Sequence, residues 1–152
     1  MKKDVLIIMG SKSDKPVMSS AEKVLKKFGV PYDVIVSSSH RNPSRTRKVA
    51  KDAVKKGYKV IIAGAGYAAH LAGVIASETL LPVIGIPLAN SPLGGLDALF
   101  STIQMPSGVP VASMGIGESG AKNAAIFSVE ILALTDDKYR KKIEEMREEW
   151  NK

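Results

Sequence analysis

The chain has 152 residues, 45% of them apolar and 24% charged, the profile of one ordinary globular domain able to bury a substantial core. It has no cysteine, which excludes disulfides, thiol catalysis and thiolate metal sites, and no run of about 18 uncharged apolar residues that would span a membrane. The formal charge of +7 is carried largely by Lys23, Lys26, Lys27, Lys48, Lys51, Lys55 and Lys56, spaced as solvated helix faces without interleaved aromatics, so nucleic acid is not an expected partner.

In chain order, M-K-K-D-V-L-I-I-M-G-S is a poor signal peptide and a good start to a fold, with a buried strand over 4–9 and a cytoplasmic location as the default. Val17, Met18, Ala21, Val24, Leu25 and Phe28 then form a helical stripe, ended by F-G-V-P (28–31). Y-D-V-I-V-S (32–37) is a second strand. Pro43 opens a helix with Thr46, Val49, Ala50, Ala53 and Val54 inward and Gly57 closing it. K-V-I-I-A (59–63), P-V-I-G-I (82–86) and V-P-V-A-S-M (109–114) are three more strands. Between the third and fourth lies A-A-H-L-A-G-V-I-A-S-E-T, short and apolar nearly all round. A mostly apolar helix is expected over 123–134 and an amphipathic, charge-laced one over 136–150. No repeat, low-complexity tract or linker divides the chain.

Strands alternating with helices predict an α/β fold: a three-layer, flavodoxin-like parallel sheet in the order 2-1-3-4-5. The two helices that are apolar on more than one side call for a further surface, either a second subunit in a homo-oligomer or another element of the same chain.

In such sheets ligands bind beyond the carboxyl ends of the strands where the order reverses. The ends of strands 2, 1 and 3 are then neighbours, and they read S-S-S-H-R-N-P (37–43), M-G-S-K-S-D (9–14) and A-G-A-G-Y-A-A-H (63–70). Ser11, Ser13 and the helix-start amides after them suit an anion, although Ser13 or Asp14 serves equally as a cap. Asp14 would repel a phosphate and better accepts hydrogen bonds from sugar hydroxyls. The glycine loop around Gly66 matches no complete dinucleotide fingerprint. His40, beside the permanent cation Arg41, is placed to exchange protons near neutrality, and Arg41 to grip a phosphate or carboxylate. His70 opens an apolar helix, where a structural role and a catalytic one are both open. No carboxylate cluster accompanies the two histidines, so no metal site is expected, and no nucleophile elbow is present. The residues alone point to an enzyme acting on a small anion, with one histidine moving a proton and no metal or redox cofactor.

Six stretches taken together resemble the class I PurE family, the N5-carboxyaminoimidazole ribonucleotide mutases of purine biosynthesis. They are M-G-S-K-S-D (9–14), S-H-R-N-P (39–43), A-G-A-G-Y-A-A-H-L-A-G (63–73), P-V-I-G-I-P (82–87), G-L-D-A-L-F-S-T-I-Q-M-P-S-G-V-P-V-A (95–112) and N-A-A-I (123–126). The resemblance implies one catalytic domain over 1–152, a flavodoxin-like fold, assembly as a homo-octamer and a reaction without any cofactor. It places the catalytic histidine on His40 and phosphate ligands on Ser13, Ser38 and Arg41. Asp14 takes the ribose hydroxyls, while Ser11, Gly66, His70 and Leu71 line the base and the trapped carbon dioxide. Three positions depart from the family pattern: Tyr67 stands for its usual glycine, Ala72 for its proline and Ser39 for its alanine. Two other readings stay open, a direct carboxylase of the sister class and a non-catalytic ribonucleotide-binding protein on the same fold. Arg41 and the segment Ala68 to Leu71 point away from the sister class, which resembles S-x-H-K and lacks A-A-H-L.

Overall fold

A computed structural model describes residues 3–151 of the chain. Its sheet has five parallel strands in the order β2-β1-β3-β4-β5: β1 (Val5–Met9), β2 (Tyr32–Val36), β3 (Val60–Ala65), β4 (Val83–Pro87) and the short β5 (Ala112–Ser113). The expected order and architecture are those observed. Every residue of β1 and β4 is buried, as unbroken V-L-I-I-M and V-I-G-I-P runs require of strands covered on both faces.

Side chains alternate across the sheet and so divide the core in two. Val5, Ile7, Met9, Val60, Ile62, Ile84 and Ile86 face one layer, formed with α1 (Lys15–Lys27), α5 (Glu118–Ala133) and α6 (Asp137–Glu148). Leu6, Ile8, Ile61, Ala63 and Val83 face the other, formed with α2 (Pro43–Lys55) and α3 (Leu71–Glu78). Each fully buried Leu or Ile contributes about 1.5–3 kcal/mol, so these two layers supply most of the drive to fold.

Four local readings are corrected. The expected inward Val54 is 46% exposed, because α2 buries only Thr46, Ala50 and Ala53 fully against the sheet. The fifth strand pairs over two residues only, since Pro110 removes a ladder donor and the chain leaves the sheet after Ser113. The helix expected from 123 begins at Glu118. Finally, α4 (Leu96–Ile103) forms where no helix was predicted.

The all-round apolar character of α5 is satisfied within the chain, by α1 on one side and α6 on the other. The surplus apolar surface lies instead on α4, where Leu96, Phe100 and Ile103 share one exposed face at helical spacing. α6 is amphipathic as expected. Its buried Tyr139 donates to Asp4 Oδ2 (3.3 Å), and Lys142 Nζ donates to the Phe28 carbonyl (2.7 Å), tying the helix across the sheet's amino end.

Candidate active site

The exit of β1 is built by short polar residues that fold back on themselves. After Gly10, residues Lys12–Asp14 make a 3-10 turn capped by Ser11. Ser11 Oγ accepts from the Ser13 amide (3.3 Å) and from Ser13 Oγ (2.9 Å). Asp14 answers by accepting the Ser11 N–H at Oδ2 (2.9 Å), so the capping role and the site role fall on the same side chains. Asp14 is only 4% exposed, and burial pushes its carboxyl above the usual range. The Ser11 amide, the Asn90 side chain, the Arg41 charge and the Gly10 backbone each pull it back down.

At the exit of β2 the backbone coils before α2. The Asn42 amide donates to the Ser38 carbonyl (2.9 Å) and the Arg41 amide to Ser38 Oγ (3.2 Å). Asn42 Oδ1 accepts from the Arg45 amide (3.2 Å) and Pro43 supplies the fixed φ of the first turn, so α2 starts where its proline predicts. Underneath, Ser37 and Thr46 share a buried hydroxyl–hydroxyl bond of 2.8 Å. This framework leans Arg41 over β1, where Nη2 donates to the Gly10 carbonyl at 3.4 Å.

The exit of β3 turns tightly, with the Ala69 amide donating to the Gly66 carbonyl (3.1 Å). Tyr67 occupies the left-handed region at φ 54°, which explains structurally why glycine suits this position. Its ring is 58% exposed at the cavity's edge. The departures Ala72 and Ser39 are both buried, Ala72 beneath the third loop in the lower core layer. His70 caps α3, and its ring stacks on that of His40 with centroids 5.0 Å apart and planes inclined by 18°.

The three exits enclose a cavity of about 420 Å³, and all of Ser11, Ser13, Asp14, Ser38, His40, Arg41, Gly66, His70 and Leu71 line it. Leu71, 1% exposed, closes the floor, while His40 and Arg41 are exposed at the mouth. A second hollow of about 360 Å³ continues from it past Ser11, Ser38 and Arg41 to Lys12 and Arg45. One end of the site is thus cationic and rich in hydroxyls, the middle holds a buried carboxylate, and the far side presents two imidazoles. Such a layout suits a phosphorylated sugar carrying a small heterocycle, with proton transfer at the heterocycle.

Sequence reading missed Asn90, Lys12 and Arg45 as lining residues. Asn90 was findable by the same rule that located the others, because it follows the carboxyl end of β4, the neighbour of β3. No group of three or more His, Asp or Glu able to hold a metal occurs among the described residues. Nor, among them, is any helix long and apolar enough to cross a membrane.

Known proteins resemble this chain in sequence and in fold. The chain is 48% identical over 144 residues to the N5-carboxyaminoimidazole ribonucleotide mutase of Haemophilus influenzae, covering 95% of this chain and 88% of that one. It is 52% identical over 137 residues to the protein of the same name from Pyrococcus horikoshii, covering 90% and 76%. Among solved structures, Treponema denticola PurE superposes with a TM-score of 0.85 at 26% identity, covering 95% of this chain and 89% of that one. Residues 4–152 match the AIR carboxylase family, and the chain belongs to that family.

Proposed function

We propose that the chain is a mutase of purine biosynthesis that moves a carboxyl group from the exocyclic nitrogen of N5-carboxyaminoimidazole ribonucleotide to ring carbon C4. The observation that carries this reading is the meeting of three adjacent strand exits around one cavity, with cations and hydroxyls at one end and stacked histidines at the other. The mutase relatives at about half identity over most of their length support it.

In this reading Ser13, Ser38 and Arg41 hold the phosphate, and the bidentate fork of Arg41 sets its direction. Asp14 accepts the ribose hydroxyls. Ser11, the backbone at Gly66, His70 and Leu71 enclose the base. Protonated His40 gives its proton to the exocyclic nitrogen as the N–C bond of the carbamate breaks, releasing carbon dioxide and a free amine. The electron-rich C4 then attacks the trapped carbon dioxide, forming the C–C bond, and His40 takes the C4 proton. The proton count closes with His40 restored, and the isomerisation is redox-neutral overall, so the scheme calls for no oxidant, reductant or other co-reactant.

A small phosphorylated ribonucleotide is the expected partner, in the cytoplasm, together with further copies of the chain. The exposed Leu96, Phe100 and Ile103 face of α4 supports a homo-oligomer, and the family resemblance points to an octamer.

The test is to supply the purified protein with N5-carboxyaminoimidazole ribonucleotide, without added bicarbonate, and follow formation of the C4-carboxylate. Turnover at rates far above the uncatalysed reaction is expected. Silence here, with activity on aminoimidazole ribonucleotide plus carbon dioxide, would replace the mutase by a carboxylase. Silence in both, with retained binding, would leave a ribonucleotide-binding protein.

A further inference from the structure

Asn90 lies just past β4, and β3 separates that strand from β1, whose exit carries Asp14. The side chain nonetheless reaches Asp14, with Nδ2 donating to Oδ1 over 2.9 Å. An ionised carboxylate only accepts, so this bond fixes the nitrogen end of the amide on Asp14 and leaves Oδ1 on the opposite side. That opposite side is Gly66. A Cβ built on Gly66 would overlap Asn90 Oδ1 and crowd the rest of the amide. Gly66 is not among the glycines with left-handed φ, so the backbone itself does not demand glycine there. Its missing side chain is what lets the amide pass over the β3 exit.

The consequence for Asp14 is a carboxylate held from both ends. Oδ2 accepts from the Ser11 amide (2.9 Å) and Oδ1 from Asn90 (2.9 Å), leaving each oxygen one further acceptor direction. Two such directions, fixed relative to each other, are what a pair of neighbouring sugar hydroxyls requires. We propose that Asn90 is a positioning residue that crosses over Gly66 to orient the Asp14 carboxylate toward the sugar of the ligand, the three residues acting as one device. The ligand's identity here rests on the function proposed above; the hold of Asn90 on Asp14 does not.

The device makes Gly66 and Asn90 interdependent. Because the colliding atom is the end of a side chain, an alanine at 66 is accommodated by rotating Asn90 away, and that rotation gives up Asp14. Gly66→Ala and Asn90→Ala therefore remove the same bond.

The test uses the full chain as wild type, Asn90→Ala, Asn90→Leu, Gly66→Ala and the double variant Gly66→Ala/Asn90→Ala. Steady-state kinetics on the N-carboxylated ribonucleotide should show KM raised about tenfold in each single variant, with kcat within about threefold, the mark of lost binding rather than lost chemistry. Asn90→Leu keeps the branched shape but removes the donor, so a wild-type KM in that variant would reduce Asn90 to a space filler and overturn the proposal. The double variant should be no worse than either single; effects that multiply would also overturn it. Carbon-13 titration of the Asp14 carboxyl supplies a readout free of any substrate. The charged and titratable groups facing it are Arg41, which pulls it down, and His40 and His70 in the same cavity. Loss of the Asn90 donor should raise its midpoint, equally in Asn90→Ala and Gly66→Ala and no further in the double variant. An unmoved midpoint refutes the positioning role. The expected titration shifts in a wild type that turns over no substrate would sustain the positioning role and sink the proposed function instead.

Discussion

His40 and His70 are 30 positions apart in the chain, yet their rings stack at 5.0 Å with an 18° inclination. They leave strands that flank β1 on either side, so the stack closes over the exit of β1. Contact between the rings constrains the plane of His40, and in the proposed mechanism an imidazole that reaches first a nitrogen and then a carbon of one substrate needs that plane held. His40→Asn should retain affinity for the ribonucleotide, with KM within a few-fold, and lose about 10²–10⁴ in kcat. His70→Asn, which removes the stack but leaves the proton carrier, should lose less. Steady-state kinetics with calorimetric binding of the product measures both. A near-normal rate in His40→Asn would remove it from the chemistry.

Arg41 illustrates the converse split. Its guanidinium leans on the Gly10 carbonyl where the cavity continues toward Lys12 and Arg45. Arg41→Lys keeps the charge but loses the planar fork, so KM should rise about tenfold while kcat holds. Affinity unchanged from wild type would take the phosphate away from this end of the site.

The sheet order was legible because β1 and β4 are apolar at every position and each intervening helix keeps one buried stripe. One geometric rule about strand ends brought forward Ser11, Ser13, Asp14, His40, Arg41, His70 and the loop at Gly66, while Ser38 and Leu71 came only from the family resemblance. What escaped were features whose cause lies far off in sequence. The Asn90–Asp14 bond spans 76 positions and leaves no local pattern. α4 follows Gly94 and Gly95, both at positive φ, and its exposed Leu96, Phe100 and Ile103 hide the polar face by which a surface helix is recognised. The early start of α5 runs through Ser119 and Gly120, weak helix formers, with Gly120 set closely against the Gly115 carbonyl.

Tyr67 is the one non-glycine residue at positive φ among the described residues, and its largely exposed ring recovers little by packing. The left-handed conformation costs an L-residue about 1–2 kcal/mol. Tyr67→Gly should therefore fold at least as stably as wild type, whereas Tyr67→Val, worse in that region for its branched Cβ, should lose about 1–2 kcal/mol. Urea denaturation followed by circular dichroism decides this, and a Tyr67→Val as stable as wild type would show the backbone there to be unstrained.

Phe100 is 57% exposed in the middle of the α4 face, between Leu96 and Ile103. A charge in a dry interface is costly, while on a free surface it is nearly neutral. Phe100→Lys should lower the sedimenting mass and leave the circular dichroism spectrum unchanged. An identical mass would place the subunit contacts elsewhere on the chain.

Tyr58 offers a stability switch at the opposite end of the sheet. Its hydroxyl, on a side chain that is mostly buried, donates to Asp33 Oδ2 at 2.5 Å, and burial, the hydrogen bond and the Asp33 charge together push its pKa up to about 12. A phenol whose folded pKa lies above its unfolded value of about 10 stabilises the fold fully below that lower value and loses the contribution as pH rises through the upper one. Tyr58→Phe should therefore cost about 1–2 kcal/mol at neutral pH, the range of a hydrogen bond to a charged group discounted for the partial exposure of Asp33. The gap between variant and wild type should shrink between pH 10 and 12, because only the wild type carries a hydroxyl at position 58 to ionise there. Denaturation midpoints of the two proteins across that window check the sign. A gap that stays constant would mean the phenol ionises at its ordinary pKa, and that the bond to Asp33 contributes nothing beyond packing.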